Sequence, residues 1–357
     1  MAERGKVVVA MSGGVDSSVA AALLVEQGYD VTGMMLRLWS EPGSEESNRC
    51  CTPDAMMLAR RVAAKLAIPF YAVDAQEPFR QRVVQSFFDG YARGETPNPC
   101  TACNREIRWG LLLERARALG AEYLATGHYA RLERDESGTV RLLRGLDRGK
   151  DQSYVLSVLG QEQLRQTLLP VGAYEKARIR EIAHHYRFPV ADRPDSQDLC
   201  FLAGGDYRAF LQRHVPEVAR PGKIINRQGQ VLGEHQGLAF YTIGQRKGIR
   251  IAAPEPYYVI EKDMGSNALI VGALHELGRA SLLAEGVNWN SGAVPQDSFE
   301  AEVKIRYRAR EAPAVVSPVG EAEARVEFQE PLRDITPGQR VVFYQGEVCL
   351  GGGTIRA

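Results

Sequence analysis

The sequence lacks an excess of charge of either sign and any long apolar run. Its 44 basic and 44 acidic residues cancel, so any contact with nucleic acid must come from local basic patches rather than from overall charge. No apolar run approaches the roughly 20 residues that a membrane-spanning helix needs, so no membrane association is expected. The first residues also lack the apolar stretch and cleavage site of a secretory signal. We therefore expect a cytoplasmic protein.

Cysteine is scarce as well, with six residues in a chain of 357. Thiols in a long cytosolic chain are kept reduced, so catalysis or metal binding explains them better than a disulfide scaffold does. Cys100 and Cys103 form a C-x-x-C pair, but no second pair and no zinc-finger histidine spacing accompanies it, which disfavours structural zinc. Cys50, Cys51 and Cys349 are expected to be buried or tolerated thiols.

The length predicts more than one domain, and the pattern of elements changes twice along the chain. Residues 1–204 alternate strand and helix signals, including a strand over 6–11 and a helix over 54–66 capped by Asp54. This alternation predicts an α/β domain with a parallel sheet. Residues 205–273 predict a small, mostly β central domain. Residues 274–357 predict an all-β, barrel-like domain with a strand over 300–308.

Residues 11–18, Met-Ser-Gly-Gly-Val-Asp-Ser-Ser, lie between an apolar strand and a helix. Two glycines allow the backbone to approach an oxyanion, and the helix N-terminus adds positive potential. Asp16 would repel a bare phosphate, but it suits a Mg²⁺ ion that bridges carboxylate and phosphate. The segment matches neither the Walker pattern nor the dinucleotide-binding glycine pattern. The alternative, a polar turn with a capping serine, is less favoured by the full motif.

The motif resembles the pyrophosphate loop (PP-loop) of ATP pyrophosphatases, which cleave ATP between the α and β phosphates and transfer AMP. The resemblance implies an adenine nucleotide α-hydrolase-like fold for the first domain, with the phosphates of ATP held by residues 10–17 and the adenine next to backbone around Leu36. The implied ATP-binding residues are Ala10, Met11, Ser12, Gly13, Gly14, Val15, Asp16, Ser17, Leu36 and Gly127.

Further segments, in order along nearly the whole chain, resemble one family, the tRNA-specific 2-thiouridylases. These segments are residues 94–99 (Gly-Glu-Thr-Pro-Asn-Pro), 103–107 (Cys-Asn-Arg-Glu-Ile), 125–130 (Ala-Thr-Gly-His-Tyr-Ala), 150–154 (Lys-Asp-Gln-Ser-Tyr), 195–201 (Asp-Ser-Gln-Asp-Leu-Cys-Phe), 242–248 (Thr-Ile-Gly-Gln-Arg-Lys-Gly) and 349–353 (Cys-Leu-Gly-Gly-Gly). The resemblance implies that ATP adenylates the C2 oxygen of uridine 34, that sulfur replaces this oxygen, and that AMP and pyrophosphate leave. The implied substrates are the tRNAs for Lys, Glu and Gln.

The resemblance also implies that Cys103 and Cys200 handle the sulfur. In a persulfide scheme, Cys200 carries the sulfur and Cys103 is its partner. The sequence departs from the family at Cys100, where many members have aspartate. Three cysteines match the ligation of a [4Fe–4S] cluster whose fourth iron stays open for hydrosulfide. We hypothesise this cluster on Cys100, Cys103 and Cys200, with the persulfide scheme as the alternative. A cysteine desulfurase, a sulfur-relay protein or free sulfide could each be the donor.

The resemblance further implies residues that meet the RNA. The implied tRNA contacts are His128, Lys150, Asp151, Gln152, Arg306, Tyr307 and Gln339, and the implied pocket for the target base is Asn98, Pro99 and Cys100. Independently, basic residues recur at every second position from Lys304 to Arg310, so one strand face is predicted to meet phosphates, although a solvated face is the common alternative. Arg141, Arg144, Arg148 and Lys150 form a second basic cluster.

Two other function classes share the phosphate loop. Amide-forming synthetases adenylate a carboxylate or carbonyl and need neither three cysteines nor a β-rich RNA-binding domain. A non-catalytic nucleotide sensor would not need Asp16 or thiols close to the phosphates. The combination of all these features therefore favours the thiolating enzyme.

Overall fold

The computed structural model describes residues 4–41, 43, 52–195, 199–202 and 205–356. Cys50 and Cys51 lie outside these ranges. The strands are β1 Lys6–Ala10, β2 Asp30–Arg37, β3 Phe70–Asp74, β4 Tyr123–Ala125, β5 Ala130–Arg134, β6 Val140–Arg144, β7 Thr167–Leu168, β8 Gly222–Ile225, β9 Val231–His235, β10 Tyr258–Asp263, β11 Ala268–Gly272, β12 Arg279–Trp289, β13 Phe299–Lys304, β14 Ala312–Pro318, β15 Glu323–Leu332, β16 Arg340–Gln345 and β17 Val348–Ile355.

Within the described residues, ten α-helices accompany these strands. They are α1 Val15–Glu26, α2 Pro53–Lys65, α3 Gln76–Phe79, α4 Gln85–Ala92, α5 Pro99–Ala102, α6 Leu113–Ala118, α7 Ser153–Leu156, α8 Gln161–Arg165, α9 Lys176–His185 and α10 Tyr207–His214. Arg80–Val84 and Cys103–Leu112 have π-helical hydrogen bonding and join their flanking helices into longer runs. Short 3-10 turns occupy Cys200–Leu202, Pro216–Val218, Leu238–Phe240 and Leu274–Glu276.

The first domain is built on a parallel sheet in the order β3-β2-β1-β4-β7. Val7, Val8 and Val9 of β1 are completely buried, as the apolar run of a central parallel strand requires. The predicted α/β fold is therefore confirmed. One detail of the prediction is wrong: Thr52, not Asp54, caps α2, and its hydroxyl accepts a 3.1 Å hydrogen bond from the Ala55 amide. The proline at the first helical position places the cap one residue before it.

The two β-rich regions form separate sheets. The central region holds a four-stranded sheet in the order β10-β11-β8-β9. The C-terminal region runs β12-β15-β14-β13-β16-β17, and pairing of β12 with β17 closes these six strands into an antiparallel barrel. The predicted β barrel is confirmed.

The hairpin β5–β6 leaves the first domain and extends the barrel sheet, which the sequence analysis did not anticipate. Leu143 and Leu142 of β6 pair with Val348 and Cys349 of β17. The side chains of Leu142 and Cys349 share a core with Tyr344 of the barrel. The hairpin thereby connects the barrel sheet to the domain that carries the phosphate loop. No helix in the described ranges is long and apolar enough to cross a membrane.

Candidate active site

The phosphate loop follows β1, at the point where the strand order of the parallel sheet reverses. From β1 the chain continues to β2 on one side, whereas β4 pairs with β1 on the other. Ligands of open parallel sheets bind at the carboxyl ends of the strands at such a reversal. Ala10 ends β1, Leu36 lies near the end of β2, and Gly127 follows β4. The structure thus brings the three predicted parts of the ATP site to one edge.

Short-range hydrogen bonds shape the loop itself. The Ser12 amide donates to Ser17 Oγ at 3.2 Å, and the hydroxyl of Ser18 donates to the Gly14 carbonyl at 2.8 Å. Gly13 has φ +70°, and a Cβ there would lie 2.4 Å from the carbonyl oxygen of Ala55. Only glycine fits this position, because the backbone is left-handed and α2 leaves no space for a side chain. The loop is a preformed cradle for an anion.

Asp16, in the first turn of α1, is held by two side chains from distant segments. The ammonium of Lys176 lies 2.7 Å and 2.9 Å from its two carboxylate oxygens, and the hydroxyl of Tyr129 donates to it at 2.7 Å. Lys176 also lies 3.0 Å from Asp195. Burial raises the pKa of the Tyr129 hydroxyl and the Asp16 carboxylate raises it further, so this phenol stays protonated.

Asp195 forms ion pairs with several cationic side chains. Lys150 lies 2.8 Å and Arg180 3.0 Å from it. Burial alone would raise the pKa of Asp195, but the hydrogen bonds from Lys150 and Lys176 hold it at about 2. Arg193 also donates a hydrogen bond to the Gly13 carbonyl at 2.6 Å. Lys176 and Arg193 contact the loop directly, and Asp195 joins Lys150 and Arg180 to Lys176 in one group of ion pairs. Cations beside the loop suit the binding of a polyphosphate.

Mg²⁺ fits this site only as an ion that arrives with a nucleotide. The described residues contain no group of three His, Cys, Asp or Glu side chains placed to hold a metal ion. Mg²⁺ in nucleotide sites needs only one or two carboxylates, because phosphates and water supply the other ligands. Asp16 could provide one, provided that it exchanges its contact with Lys176 for the ion.

Gly127 and His128 connect β4 to the loop. A Cβ on Gly127 would lie 2.6 Å from the Ser17 amide nitrogen, so this backbone packs directly on the start of α1. The His128 side chain is buried, with Nδ1 2.7 Å from Thr126 Oγ1 and Nε2 2.9 Å from an Arg108 nitrogen. Arginine only donates, so Nε2 accepts and Nδ1 carries the proton. Burial lowers the pKa of His128 well below 6.5, and the Arg108 charge lowers it further.

The C-x-x-C pair lies at the start of the helical run that begins at Pro99. Asn98 caps this run, and its side-chain oxygen accepts hydrogen bonds from the amides of Cys100 at 3.2 Å and Thr101 at 3.4 Å. Cys100 and Cys103 are three residues apart and therefore share one helix face. Cys100 is exposed and Cys103 half-buried. The hydrogen bonding changes from α to π at Cys103, a change often found at functional sites.

Cys200 begins a short 3-10 turn whose next residue, Phe201, is buried against Phe79 and Phe87. Cys103 and Cys200 both pack against the hydrophobic core that contains these rings. The structure therefore places two of the three predicted cysteines beside one core. Within the described ranges, however, the three thiols do not form a metal-holding group. In this conformation the arrangement does not fit a resident cluster.

The segment Lys150-Asp151-Gln152, predicted to meet RNA, makes several contacts within the protein. Lys150 bonds to Asp195, as described above. Asp151 is buried and accepts hydrogen bonds from the Gly145 amide and from Ser153. The side-chain oxygen of Gln152 accepts from the Tyr129 amide at 2.9 Å.

Tyr307 lies at the surface near Cys100. Its side chain is 38% exposed, and its ring centroid is 6.0 Å from that of Tyr154. Burial raises the pKa of Tyr307, and the nearby Asp151 and Cys100 raise it further. The electrostatic influence of Asp151 and Cys100 on Tyr307 places these three predicted site residues, which are distant in the chain, in one region of the structure.

Arg306 and Gln339 join domains in this structure. Arg306 donates to the Ile243 carbonyl at 3.1 Å and also to the hydroxyl of Thr336. Gln339 donates to the Thr96 carbonyl at 2.6 Å, and the Thr96 amide donates to Pro337 at 2.8 Å. Thr96 lies two residues before Asn98, the cap of the helical run that carries Cys100 and Cys103. The barrel therefore holds the segment that precedes the cysteines.

The predicted basic strand face is wrong. β13 ends at Lys304, and the chain then turns, with the Ala309 amide bonded to the Arg306 carbonyl. The turn removes the alternation on which the prediction rested, so these cations do not share one strand face. The second basic cluster is also partly internal, because Arg144 is buried between Glu302 and Glu311 and packs its guanidinium over Tyr344.

Sequence reasoning missed Lys176, Tyr129 and Arg193 as parts of the site. Their contacts to the phosphate loop span more than 100 positions, so no local motif connects them to it. One sequence signal could have identified Tyr129, because it lies in residues 125–130, the segment around Gly127 that resembles the family.

Comparison with known proteins covers nearly the whole chain. Three family models match in succession: the tRNA methyl transferase HUP domain over residues 5–204, the tRNA methyl transferase PRC-barrel domain over 208–273 and the aminomethyltransferase beta-barrel domain over 279–355. A protein of Carboxydothermus hydrogenoformans named tRNA-specific 2-thiouridylase MnmA is 48% identical over 356 residues, which cover 99% of this chain and 98% of that protein. A protein of the same name from Moorella thermoacetica is 50% identical over 353 residues, which cover 98% of this chain and 99% of that protein.

Likeness to solved structures is weaker. A 4-thiouridine synthetase–RNA complex with bound ATP is 19% identical, with a TM-score of 0.37, over 60% of this chain and 51% of that chain. A likeness of this size carries no argument about the ligands of the present chain.

Proposed function

This chain belongs to the tRNA-specific 2-thiouridylase family, and we propose that it uses ATP to replace the C2 oxygen of a tRNA uridine with sulfur. The observation that carries the proposal is the combination of a preformed phosphate loop with a cysteine-bearing helix in one domain. The phosphate loop suits the activation of an oxygen by ATP, and the thiols suit the delivery of sulfur. We propose uridine 34 of the tRNAs for Lys, Glu and Gln as the target.

In the proposed first step, ATP occupies the edge formed by the loop, Leu36 and Gly127. Serine hydroxyls, loop amides and the positive end of α1 hold the phosphates. Mg²⁺ bound to ATP would take Asp16 as a ligand and neutralise charge on the phosphates. The released ammonium of Lys176 would then face the polyphosphate. The C2 oxygen of uridine attacks the α phosphorus, pyrophosphate leaves, and C2 becomes electrophilic because its oxygen now belongs to a good leaving group.

The target base must leave the anticodon stack to reach this site. We propose a pocket formed by Asn98, Pro99 and Cys100, with the exposed ring of Tyr307 available for stacking on a base. The sequence analysis predicts tRNA contacts by a further set of residues, namely Lys150, Asp151, Gln152, Arg306, Gln339 and His128. Contacts by the exposed side of Lys150 are compatible with its position, since 41% of its side chain is exposed. Direct contact by His128 would require its burial to be relieved.

For the sulfur step we propose chemistry at Cys103 and Cys200. Cys200 receives sulfane sulfur from a cysteine desulfurase or a sulfur-relay protein and becomes a persulfide. The terminal sulfur attacks C2, and the C2–O bond breaks as AMP leaves. The Cys103 thiolate then attacks the Cys200 sulfur, a Cys103–Cys200 disulfide forms, and the electron pair of the broken S–S bond stays with the sulfur on C2. A cellular thiol reduces the disulfide afterwards.

The hypothesis of an open-site [4Fe–4S] cluster on Cys100, Cys103 and Cys200 stays a prediction. Its support is the set of three thiols, two of which share one helix face. Free sulfide would then be the donor. Because the described thiols are not gathered around a metal site in this conformation, the step above is written without iron.

Nucleoside mass spectrometry tests the proposed function. The purified protein, unmodified tRNA, Mg-ATP and a persulfide donor or sulfide should yield 2-thiouridine, AMP and pyrophosphate. A methylated uridine instead, the product that the names of two of the matching families would suggest, or no change in the tRNA would overturn the proposal. Formation of an amide product without change in tRNA would favour the synthetase class.

Cys100→Ala separates the two sulfur schemes. A cluster needs the third thiol, so this variant should lose iron and activity together. The persulfide scheme needs only Cys103 and Cys200, so Cys100→Ala should stay active whereas Cys103→Ala does not. Anaerobic reconstitution with iron and sulfide, followed by spectroscopy, provides the second measurement. Full activity in a rigorously iron-free preparation would eliminate the cluster.

A further inference from the structure

Arg144, the last residue of β6, is a buried cation with partners from several other segments. Its side chain is only 4% exposed, and its guanidinium lies over the Tyr344 ring, 3.7 Å from the ring centroid. Its Nη1 donates to Glu311 at 2.5 Å, its Nη2 donates to Glu302 at 3.3 Å, and its Nε donates to the Gly346 carbonyl at 3.1 Å. Every nitrogen of the guanidinium thus bonds to another part of the chain.

The two carboxylates flank one turn of the barrel. Glu302 lies in β13, and Glu311 directly precedes β14, which pairs with β13. Between them the chain forms the turn of residues 305–310, which carries Tyr307. The sheet order β13-β16-β17-β6 separates Arg144 from β13 by two strands, so its side chain reaches across them. Because one guanidinium bonds to both carboxylates, it holds the two ends of this turn together.

The same guanidinium also lies close to a second segment that was predicted to contact tRNA. Its Nη1 is 4.0 Å from a carboxylate oxygen of Asp151. Asp151 accepts a 2.9 Å hydrogen bond from Ser153, whose hydroxyl lies 3.1 Å from that of Tyr344. Arg144 therefore connects the turn of residues 305–310 to the segment Lys150-Asp151-Gln152.

The position of Tyr307 depends on the shape of this turn more than that of its neighbour Arg306 does. Arg306 has two hydrogen bonds of its own to other segments. The Tyr307 ring is packed between side chains, with its centroid 6.0 Å from that of Tyr154 and 6.0 Å from Lys304 Nζ. Such ring contacts are weaker than charge-assisted hydrogen bonds. The direction of the exposed ring therefore follows the backbone of the turn.

We infer that Arg144 is a positioning residue that fixes the turn of residues 305–310 in the conformation that presents Tyr307 to tRNA. This inference rests on the proposed function, in which the exposed ring stacks on a base. Arg144 is itself buried and acts through Glu302 and Glu311. Arginine suits this role because its planar group can bond to two carboxylates at once, whereas the ammonium of lysine is a single point charge.

Glu311→Gln tests the connection without removing the buried cation. The substitution retains the size of the side chain, removes its charge and changes a group that is 32% exposed. Glu323→Gln is the matched control, because Glu323 also pairs with an arginine, Arg356, but both side chains are exposed. The full-length proteins are compared for equilibrium binding of unmodified tRNA and of ATP. Glu311→Gln is also combined with Tyr307→Ala.

We expect Glu311→Gln to weaken tRNA binding about tenfold, as it would if about one molecule in ten kept the turn in its binding conformation. Loss of a negative charge by itself would strengthen the binding of an anionic RNA, so weaker binding reports the position of the turn. ATP binding should be unchanged, and Glu323→Gln should match the unsubstituted protein. In the Tyr307→Ala background, Glu311→Gln should weaken tRNA binding by less than about twofold, because the ring that the turn positions is gone.

Arg144→Lys provides a second variant, which keeps the charge but cannot bond to both ends of the turn in the same way. It should weaken tRNA binding as Glu311→Gln does. Its control is Arg325→Lys, because Arg325 lies in the barrel strand β15, is 59% exposed and pairs with the exposed Glu327. Should Glu311→Gln not fold, Glu302→Gln removes the charge at the other end of the turn and is expected to cause the same loss.

Two results would overturn the inference. One is unchanged tRNA affinity in both Glu311→Gln and Arg144→Lys, even with a lower melting temperature, since Arg144 would then only stabilise the fold. The other is an equal loss of affinity from Glu311→Gln in the presence and absence of the Tyr307 ring. Failure of the proposed function is distinguishable from either, because the unsubstituted protein itself would then form no 2-thiouridine.

Discussion

The ammonium of Lys176 lies 2.7 Å from the carboxylate of Asp16, although 160 positions separate the two residues. Lys176 begins α9, and its side chain is 12% exposed. The pair places a cation beside the loop that we propose to hold pyrophosphate. Because Lys176 also contacts Asp195, it can leave Asp16 without losing every counter-charge.

Removal of the Lys176 charge should therefore impair activation rather than RNA binding. We expect Lys176→Met to slow ATP-dependent pyrophosphate release at least about 100-fold, since a positioned cation next to departing phosphate contributes several kcal/mol. Equilibrium binding of tRNA should be unchanged. Arg178→Met, on the same helix but 62% exposed and paired with the exposed Glu181, is the control. Normal pyrophosphate release by Lys176→Met would remove Lys176 from the site.

Two glycines with similar backbone angles but different surroundings test the phosphate loop. Gly13 has φ +70° and Gly28 has φ +83°, so alanine is strained at either position by roughly 1–2 kcal/mol. A Cβ on Gly13 would meet Ala55, whereas a Cβ on Gly28 would meet nothing within 4 Å. Gly13→Ala should weaken ATP binding at least about tenfold. Gly28→Ala should lower stability alone, as calorimetry and nucleotide titration can measure. Equal ATP affinities would contradict the preformed cradle.

The cysteines should differ sharply in their reactivity in the native protein. Cys349 is 1% exposed, and burial raises the pKa of its thiol to about 12, so it should resist alkylation near neutral pH. Exposed Cys100 should react well before Cys349. Peptide mass spectrometry over an iodoacetamide time course gives the order. Cys349→Ala should keep thiolation activity, whereas Cys200→Ala should lose it while still binding ATP. Early labelling of Cys349 would disprove its burial.

His128 should also lower the stability of the folded protein as the pH falls. Its pKa is lowered in the folded protein, so between that value and the ordinary 6.5 the unfolded chain binds one proton more. The contribution of His128 to the free energy of unfolding is therefore constant above about pH 6.5. Below that pH the contribution falls by up to about 1.4 kcal/mol per pH unit. Denaturant titrations from neutral to acidic pH should show this slope, and His128→Gln should lack it. An identical slope in both proteins would mean that folding does not lower the pKa of His128.

Much of the fold was predictable because its signals are local. The valines of β1 and the alternation of strands and helices identified the parallel sheet, and the short alternating strands near the C-terminus identified the barrel. The errors came where a neighbouring residue changed the local rule. Pro53 moved the helix cap to Thr52, and a turn after Lys304 ended the strand on which the basic face depended.

The site was predictable only in part. The loop over residues 11–18 is recognisable because the hydrogen bonds among its own residues run between positions at most five apart, such as Ser12 and Ser17. The roles predicted for Asp151 and Arg306 depend on exposure, which no pattern of residues determines. Asp151 is buried, and Arg306 bonds from the barrel region to the Ile243 carbonyl of the central region.

The sequence by itself determined the phosphate loop and the C-x-x-C pair. It also determined that an α/β region is followed by two β-rich regions. Each of these features depends on residues that are neighbours in the chain. Only the tertiary structure decided that Lys176 pairs with Asp16, that the hairpin β5–β6 joins the barrel, and that His128 is neutral. The physical reason is that ion pairing and desolvation depend on distances in space between segments far apart in the chain. A motif specifies which groups are present, and packing specifies which of them meet.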